Sequence, residues 1–372
     1  MSAIEIPREL IPADGRFGSG PSKVRPEAVQ RLARDADDLL GTSHRQPAVK
    51  GQVRRVREGL RTFFDLPDDH EVVLGVGGAT LFWDAAVFGL IRERSAHAVF
   101  GEFSTKFAKS VDEAPHLADP VKFESDFGTF PEVEAVEGVD LYALTHCETS
   151  TGVAMPVQRP AGSGDALVAV DATSAAGGLP VDPSQYDAYY FSPQKAFASE
   201  GGLWLALLSP AAIERIGELS GSRYQPPILD LQTALDNSRK DQTYNTPSVS
   251  TLYLMGEQLD WLNSEGGLGF AVENCAAKAN HLYDWASRAD FAQPFVKEPG
   301  ERSNVVVTVD LDARVDANEV ASTLRENGIL DTEAYRKLGR NQLRFAVFPA
   351  VDHDDVVKLT AAIDHVVERL AE

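Results

Sequence analysis

The chain's most constraining feature is a succession of short apolar runs set between helical patterns. "EVVLGV" (Glu71 to Val76), "HAVFGEF", "DLYALTHCE", "ALVAVDAT", "YDAYYFSP" and "GLWLALLSP" are each only a few residues long, rich in Val, Leu and aromatic residues, and little alternated. A strand with one wet face alternates polar and apolar side chains; these do not, so they read as strands covered on both faces. Between them lie helical spacings, such as Leu81, Ala85, Phe88 and Ile91 after the first run. That order predicts an α/β fold: a large unit with a mostly parallel sheet and helices on both faces. Further helical patterns run from Pro26 to Leu40 and from Val49 to Phe64, and a long one from Ser248 to about Ala289 is interrupted by "NSEGGLG". The last part, with "NVVVTVDL", a helix near Ala317 to Asn327, "NQLRFAVFP" and a closing helix from Asp352, predicts a smaller α+β unit. At 372 residues two units are expected, 16–263 and 264–372, with residues 1–15 packing near the smaller.

Charge narrows the partners. Lys+Arg number 35 against Asp+Glu 56, a formal charge of −21, which opposes nucleic acid and anionic membranes. An anionic ligand then needs donors concentrated locally. Cys147 and Cys275, the 2 cysteines, lack metal-site spacing and make no disulfide framework, so no metal and a reducing, cytoplasmic setting are expected. The N-terminus reads as no signal peptide, and no run nears the roughly 20 apolar residues of a membrane span.

In open α/β sheets ligands gather at the carboxyl ends of strands. "GVGGAT" puts Gly77, Gly78, Ala79 and Thr80 between a strand and a helix, either a tight turn or a phosphate cradle of free N–H groups at a helix N-terminus. It lacks the spacing of a nucleotide P-loop or a dinucleotide fingerprint. Asp171 ends "ALVAVD"; it either caps a turn or, if buried, pairs with a cation. Lys195 sits in a polar turn between two apolar runs, either a solvated charge or a partly desolvated amine usable as nucleophile and base. His44 and Arg45 in "SHR" are an anion-binding pair or a surface feature. Arg344, inside "NQLRFAVFP", needs an anionic partner, protein or ligand.

Taken in order, "FGSGPSKVRPEA", "GTSHR", "GGAT", "CETSTGV", "VDATS", "SPQKAF", "YNTPS" and "LRFAVFP" resemble the phosphoserine aminotransferases, a pyridoxal 5'-phosphate family in the class V branch of fold-type I enzymes. The resemblance covers nearly the whole chain. It implies a cofactor carried covalently by Lys195, with Asp171 against the pyridine nitrogen and Ala79, Thr80 and Gln194 at the phosphate. Phe103 matches an aromatic residue stacked on the ring, usually tryptophan in that family, and Thr149 a hydroxyl near the ring oxygen. Asn245 and Thr246 match a pair reaching the cofactor phosphate from a neighbouring subunit, which implies a homodimer with composite sites. His44 and Arg45 match contacts to the substrate phosphate, and Arg344 the contact to its α-carboxylate. Arg336 matches less well: Tyr335 stands where many relatives carry a histidine. The implied reaction is transamination of 3-phosphohydroxypyruvate with glutamate to O-phospho-L-serine, in serine biosynthesis, with 4-phosphohydroxythreonine of pyridoxine biosynthesis as a related substrate. Set against it are an alanine–glyoxylate or serine–pyruvate aminotransferase, a cysteine desulfurase, which would need a nucleophilic cysteine on a loop, a nicotinamide dehydrogenase, and a non-catalytic binding protein of the same fold.

Overall fold

A computed structural model describes residues 4–371. Residues 1–3 and 372, parts of the expected N-terminal segment and C-terminal unit, lie outside the described residues. The chain opens with α1 (Pro26–Leu39) and α2 (Pro47–Phe63), each started by a proline whose missing N–H would have had no helical partner. In α2, Val49, Val53, Val56, Leu60 and Phe63 are buried, one stripe at helical spacing. Then follow β1 (Glu71–Val76), α3 (Ala79–Gly89), β2 (Ser95–Val99), α4 (Glu102–Asp112), β3 (Val121–Glu124) and β4 (Leu141–Thr145). A small hairpin, β5 (Cys147–Glu148) and β6 (Val153–Ala154), leads to β7 (Leu167–Asp171), β8 (Ala188–Phe191) and β9 (Leu203–Leu208). Helices α5 (Pro210–Ser222), α6 (Leu231–Ser238) and α7 (Val249–Glu265) complete this part.

The sheet order is β1-β9-β8-β7-β4-β2-β3. Only β9 runs against its neighbours; the other pairings are parallel. Because β1 and β8 both oppose β9, they point the same way, and six carboxyl ends share one edge. Strands β4, β7, β8 and β9 are buried at every position. Their alternate residues feed two cores: Tyr142, Leu144, Val168, Val170, Tyr189 and Phe191 pack with α2 and α7, while Leu141, Ala143, Leu167, Ala169 and Tyr190 pack with α3, α5 and α6. Both faces are covered, so no polar alternation survives in the sequence. The edge strand β3 does alternate and exposes Lys122 and Glu124.

Beyond the turn at Gly266 come α8 (Gly267–Arg288), β10 (Ala292–Pro294), β11 (Val306–Leu311), α9 (Ala317–Glu326), β12 (Gln342–Ala346) and α10 (His353–Leu370). The three strands form an antiparallel sheet whose core joins α8, α9 and α10 with Ile6 and Phe17. The N-terminal segment is tied there by backbone bonds: Leu330 N–H donates to Gly15 O at 2.7 Å and Ala346 N–H to Phe17 O at 2.8 Å. The two parts are not sealed off from each other. Ala271 and Cys275 of α8, Val306 of β11 and Ala346 of β12 pack into the core of the large sheet.

Candidate active site

A cavity of about 290 Å³ opens at the shared carboxyl edge, lined by Gly78, Ala79 and Thr80 after β1, Phe103 after β2, Thr149 after β4, Asp171 ending β7 and Lys195 after β8. Parallel topology does this: each strand delivers its loop to the same edge. Ser19, Gly20, Tyr335 and Arg344 also line a neighbouring cleft of about 1130 Å³, so the two openings join.

Lys195 lies in the connection from β8 to the reversed β9 and is only 6% exposed. Its Nζ donates to Ser174 Oγ at 2.7 Å and Thr149 Oγ1 at 3.0 Å, and those two hydroxyls bond each other. Burial pushes the ammonium down to about 8. The Gly20 backbone, at φ +129°, covers the lysine so closely that a Cβ would lie 2.7 Å from Lys195 Cε. Asp171 is buried, which raises its pKa; hydrogen bonds from Thr173 and the charge of Lys195 oppose the rise. Its Oδ1 accepts from Thr173 N at 3.0 Å and Thr173 Oγ1 at 2.6 Å, and its Oδ2 from Trp83 Nε1 at 3.1 Å. The bond to Thr173 N is the local turn bond that the sequence allowed, so Asp171 makes it and still lines the cavity.

The N-terminus of α3 faces the cavity with a glycine cap, Gly78, that has no side chain to satisfy it. Ser192 Oγ accepts from Ala79 N–H at 2.7 Å. Three buried polar atoms around the cavity lack a hydrogen-bond partner among the described residues: Gln194 Oε1, Ser19 Oγ and Arg344 Nε. Arg344, on β12, donates from Nη1 to Thr149 O at 3.1 Å and lies 5.5 Å from the Tyr335 ring centroid. Burial lowers its pKa, and among the described residues no carboxylate forms an ion pair with it. Phe103 forms a wall 5.8 Å from Lys195 Nζ, with Tyr335 6.0 Å beyond. A helix N-terminus, a buried amine, a buried carboxylate, an aromatic wall and an unmatched guanidinium fit a planar, phosphorylated carbonyl compound together with an anionic substrate.

Four expected residues lie elsewhere. His44 and Arg45 sit on the loop from α1 to α2, and Asn245 and Thr246 on the segment entering α7. None lines the cavity of its own chain, because neither segment is a strand end. Within one chain, His44 and Arg45 therefore lie apart from the cavity that holds Lys195. They form their own cluster: His44 Nδ1 bonds Thr246 Oγ1 at 3.1 Å, and Arg45 Nη1 donates to Gln242 Oε1. Arg336, exposed on a short turn, lines the larger cleft rather than the cavity with Lys195.

Sequence reasoning passed over Trp83, Thr173, Ser174, Ser192, Ser19 and Gly20. Ser19 and Gly20 belong to "FGSGPSKVRPEA", Thr173 and Ser174 to "VDATS", and Ser192 to "SPQKAF". Trp83 is four residues after Ala79, on the helix face that starts at the cavity, a usable signal. Both thiols are buried, and burial pushes Cys147 up to about 12 and Cys275 to about 11. Neither is a thiolate nucleophile.

The aminotransferase class-V family matches residues 131–332. The chain is 56% identical over 366 residues to a phosphoserine aminotransferase of Rhodococcus opacus (strain B4), covering 98% of each. It is likewise 56% identical over 366 residues to a phosphoserine aminotransferase of Rhodococcus jostii (strain RHA1). A solved phosphoserine aminotransferase from Cytophaga hutchinsonii superposes with a TM-score of 0.85 at 24% identity, covering 94% of this chain and 99% of that one. The chain therefore belongs to the phosphoserine aminotransferase family within the class-V aminotransferases.

Proposed function

We propose that the protein is a pyridoxal 5'-phosphate-dependent aminotransferase that converts 3-phosphohydroxypyruvate and L-glutamate to O-phospho-L-serine and 2-oxoglutarate. The observation that carries this is the Lys195 amine, buried and brought down to about 8, in one cavity with Asp171 and the N-terminus of α3. When bound, the cofactor supplies a carbonyl that captures amines and a ring that withdraws electrons from the α-carbon.

The chain's own groups do the rest. The N–H groups opening α3, with Thr80 and Gln194, hold the cofactor phosphate. Asp171, kept dry beside Trp83, presents its carboxylate to the ring nitrogen and favours the protonated ring. Phe103 covers one ring face, and the Thr149 hydroxyl meets the ring oxygen. Lys195 would tether the cofactor and, as a free amine with its pKa lowered to about 8, would take the proton from the substrate α-carbon and return it to the cofactor's exocyclic carbon, two atoms away. Arg344, which has no carboxylate partner among the described residues, takes the substrate carboxylate through two parallel bonds. Residues 16–263 hold the cofactor and 264–372 bring Arg344 and Arg336 over it.

The substrate phosphate is held by His44 and Arg45 from a second copy, with Asn245 and Thr246 of that copy reaching the cofactor phosphate. Outside their own cavity, Arg45, Asn245 and Thr246 are exposed and half-buried His44 bonds Thr246, an arrangement that supports a homodimer with composite sites. The same contacts accept 4-phosphohydroxythreonine. Two buried free thiols suit a reducing cytoplasm.

The test is spectroscopic. Purified protein with pyridoxal phosphate turns yellow, and borohydride bleaches the band and fixes the cofactor on Lys195. A colourless protein overturns the reading. Phosphoserine converts the band at far lower concentration than alanine, and Arg45→Ala removes the difference; equal response of the native protein to both amino acids overturns the substrate assignment.

A further inference from the structure

We propose that Glu148 is a positioning residue that locks Phe103 and Thr149 in register around the Lys195 amine, so that the grip on pyridoxal phosphate depends on a carboxylate outside the cavity wall. It rests on the reading above, in which Phe103 covers the cofactor ring. Glu148 is 0% exposed and is not among the residues lining the cavity. Its carboxylate joins two loops from different strands. Oε2 accepts from Phe103 N at 3.1 Å, Ser104 N at 3.0 Å and Ser104 Oγ at 3.0 Å, all in the first turn of α4. Oε1 accepts from Ser150 N at 3.2 Å and Ser150 Oγ at 2.7 Å, in the loop after β5, and from Phe103 N at 3.3 Å. Ser150 Oγ in turn accepts from Glu102 N at 3.1 Å.

The first turn of a helix has N–H groups without partners and the positive end of the dipole, so a carboxylate there both satisfies and holds it. Room for this is made by Gly101, where a Cβ would run into the Glu148 side chain. One helix turn then presents Phe103, while the residue after Glu148 is Thr149, which accepts from Lys195 Nζ. A single anchor thereby sets the spacing between the aromatic wall and the amine. It must be a carboxylate. Each oxygen faces a backbone N–H that cannot turn around, so the amide of glutamine would aim its NH₂ at a donor and push one loop away.

The experiment is a double-mutant cycle on cofactor affinity, read by titrating cofactor-stripped protein with pyridoxal phosphate. Glu148→Gln weakens binding about tenfold, the equivalent of one buried donor without an acceptor. Phe103→Ala also weakens it, and adding Glu148→Gln to Phe103→Ala costs clearly less affinity than Glu148→Gln alone, the remainder being the share that runs through Thr149. Additive losses overturn the proposal, as does a Glu148→Gln protein that melts earlier yet binds the cofactor normally, since that is a purely structural cap. Phe103→Ala with unchanged affinity fails differently: it removes the reading of Phe103 itself. Should Glu148→Gln not fold, Glu148→Asp is put through the same cycle; if that variant also fails to fold, the residue serves folding alone and the proposal falls.

Discussion

Two lysines in this protein have nearly the same electrostatics and different surroundings. Lys195 is 6% exposed and Lys278 0%, and burial pushes each down to about 8. They differ in partners. Lys195 Nζ is held by two hydroxyls at the wall of a cavity. Lys278, on α8, donates to the backbone carbonyls of Phe348 and Val351, both at 2.8 Å, and so fastens the turn between β12 and α10. Hydroxyls can rotate to receive or release a proton; carbonyls only accept. A shifted lysine therefore marks chemistry only where its partners are exchangeable and space lies beside it, and marks architecture where it closes off carbonyls.

Substitution is expected to separate the two lysines most strongly. Lys195→Ala is expected to lower kcat on the order of 10⁴-fold or more, since the general acid–base share alone reaches that size, while its thermal midpoint stays near that of the native protein without cofactor. Lys278→Met is expected to do the reverse: urea unfolding loses about 1–3 kcal/mol because two buried carbonyls lose their donor, with kcat within about twofold of native. If Lys278→Met abolishes turnover without loss of stability, the division between the two lysines is wrong.

The same pair shows what the sequence made legible. The strands were readable because burial on both faces removes polar alternation, and Lys195 stood out because it interrupts two such runs. Lys278 was not singled out, although its signal was present: Ala271, Cys275, Lys278 and Leu282 fall on one buried stripe of α8, so the lysine points inward with the apolar residues. Trp83 escaped for a related reason. The spacing Leu81, Ala85, Phe88 suggested one buried face, whereas α3 is buried around most of its girth, at Phe82, Trp83, Ala86 and Val87 among others. That His44 and Arg45 lie outside the cavity of their own chain is not legible in the sequence, because a motif's order along the chain does not say where its loop sits in space. Arg344 was legible as a charge needing an anion; that no carboxylate among the described residues forms an ion pair with it required coordinates.

Titration separates the two lysines as well. Both lysines have folded values below their unfolded ones, so the unfolded chain binds more protons between about 8 and 10.5 and stability rises with pH across that window. The native protein's stability advantage over Lys278→Met is therefore expected to grow as pH rises from about 8 to 10.5 and to stay level outside that window. For Lys195 the reporter is chemical. Only the neutral amine attacks a carbonyl, so the rate at which cofactor-stripped protein captures pyridoxal phosphate climbs roughly tenfold from one pH unit below its value of about 8 to one above, then levels. A capture rate indifferent to pH there would place the amine's pKa elsewhere.

The smallest effect tests the hydroxyls themselves. Ser174→Ala removes the nearer acceptor, at 2.7 Å, and leaves Thr149 at 3.0 Å, on a segment that Arg344 also holds. The protonated amine loses one of its two hydrogen bonds while its burial is unchanged, so its charged form is less favoured and its pKa falls further. Capture of the cofactor should then be faster at pH 7 by about two- to fivefold and unchanged at pH 9, since a single hydrogen bond to a charged group is partly replaced by a neighbour or water. A shift of the rate profile to higher pH would mean that Ser174 donates to the neutral amine instead of accepting from the charged one. In that case the hydroxyl pair would resemble the carbonyls around Lys278 less, not more, because it would be stabilising the reactive form of its lysine.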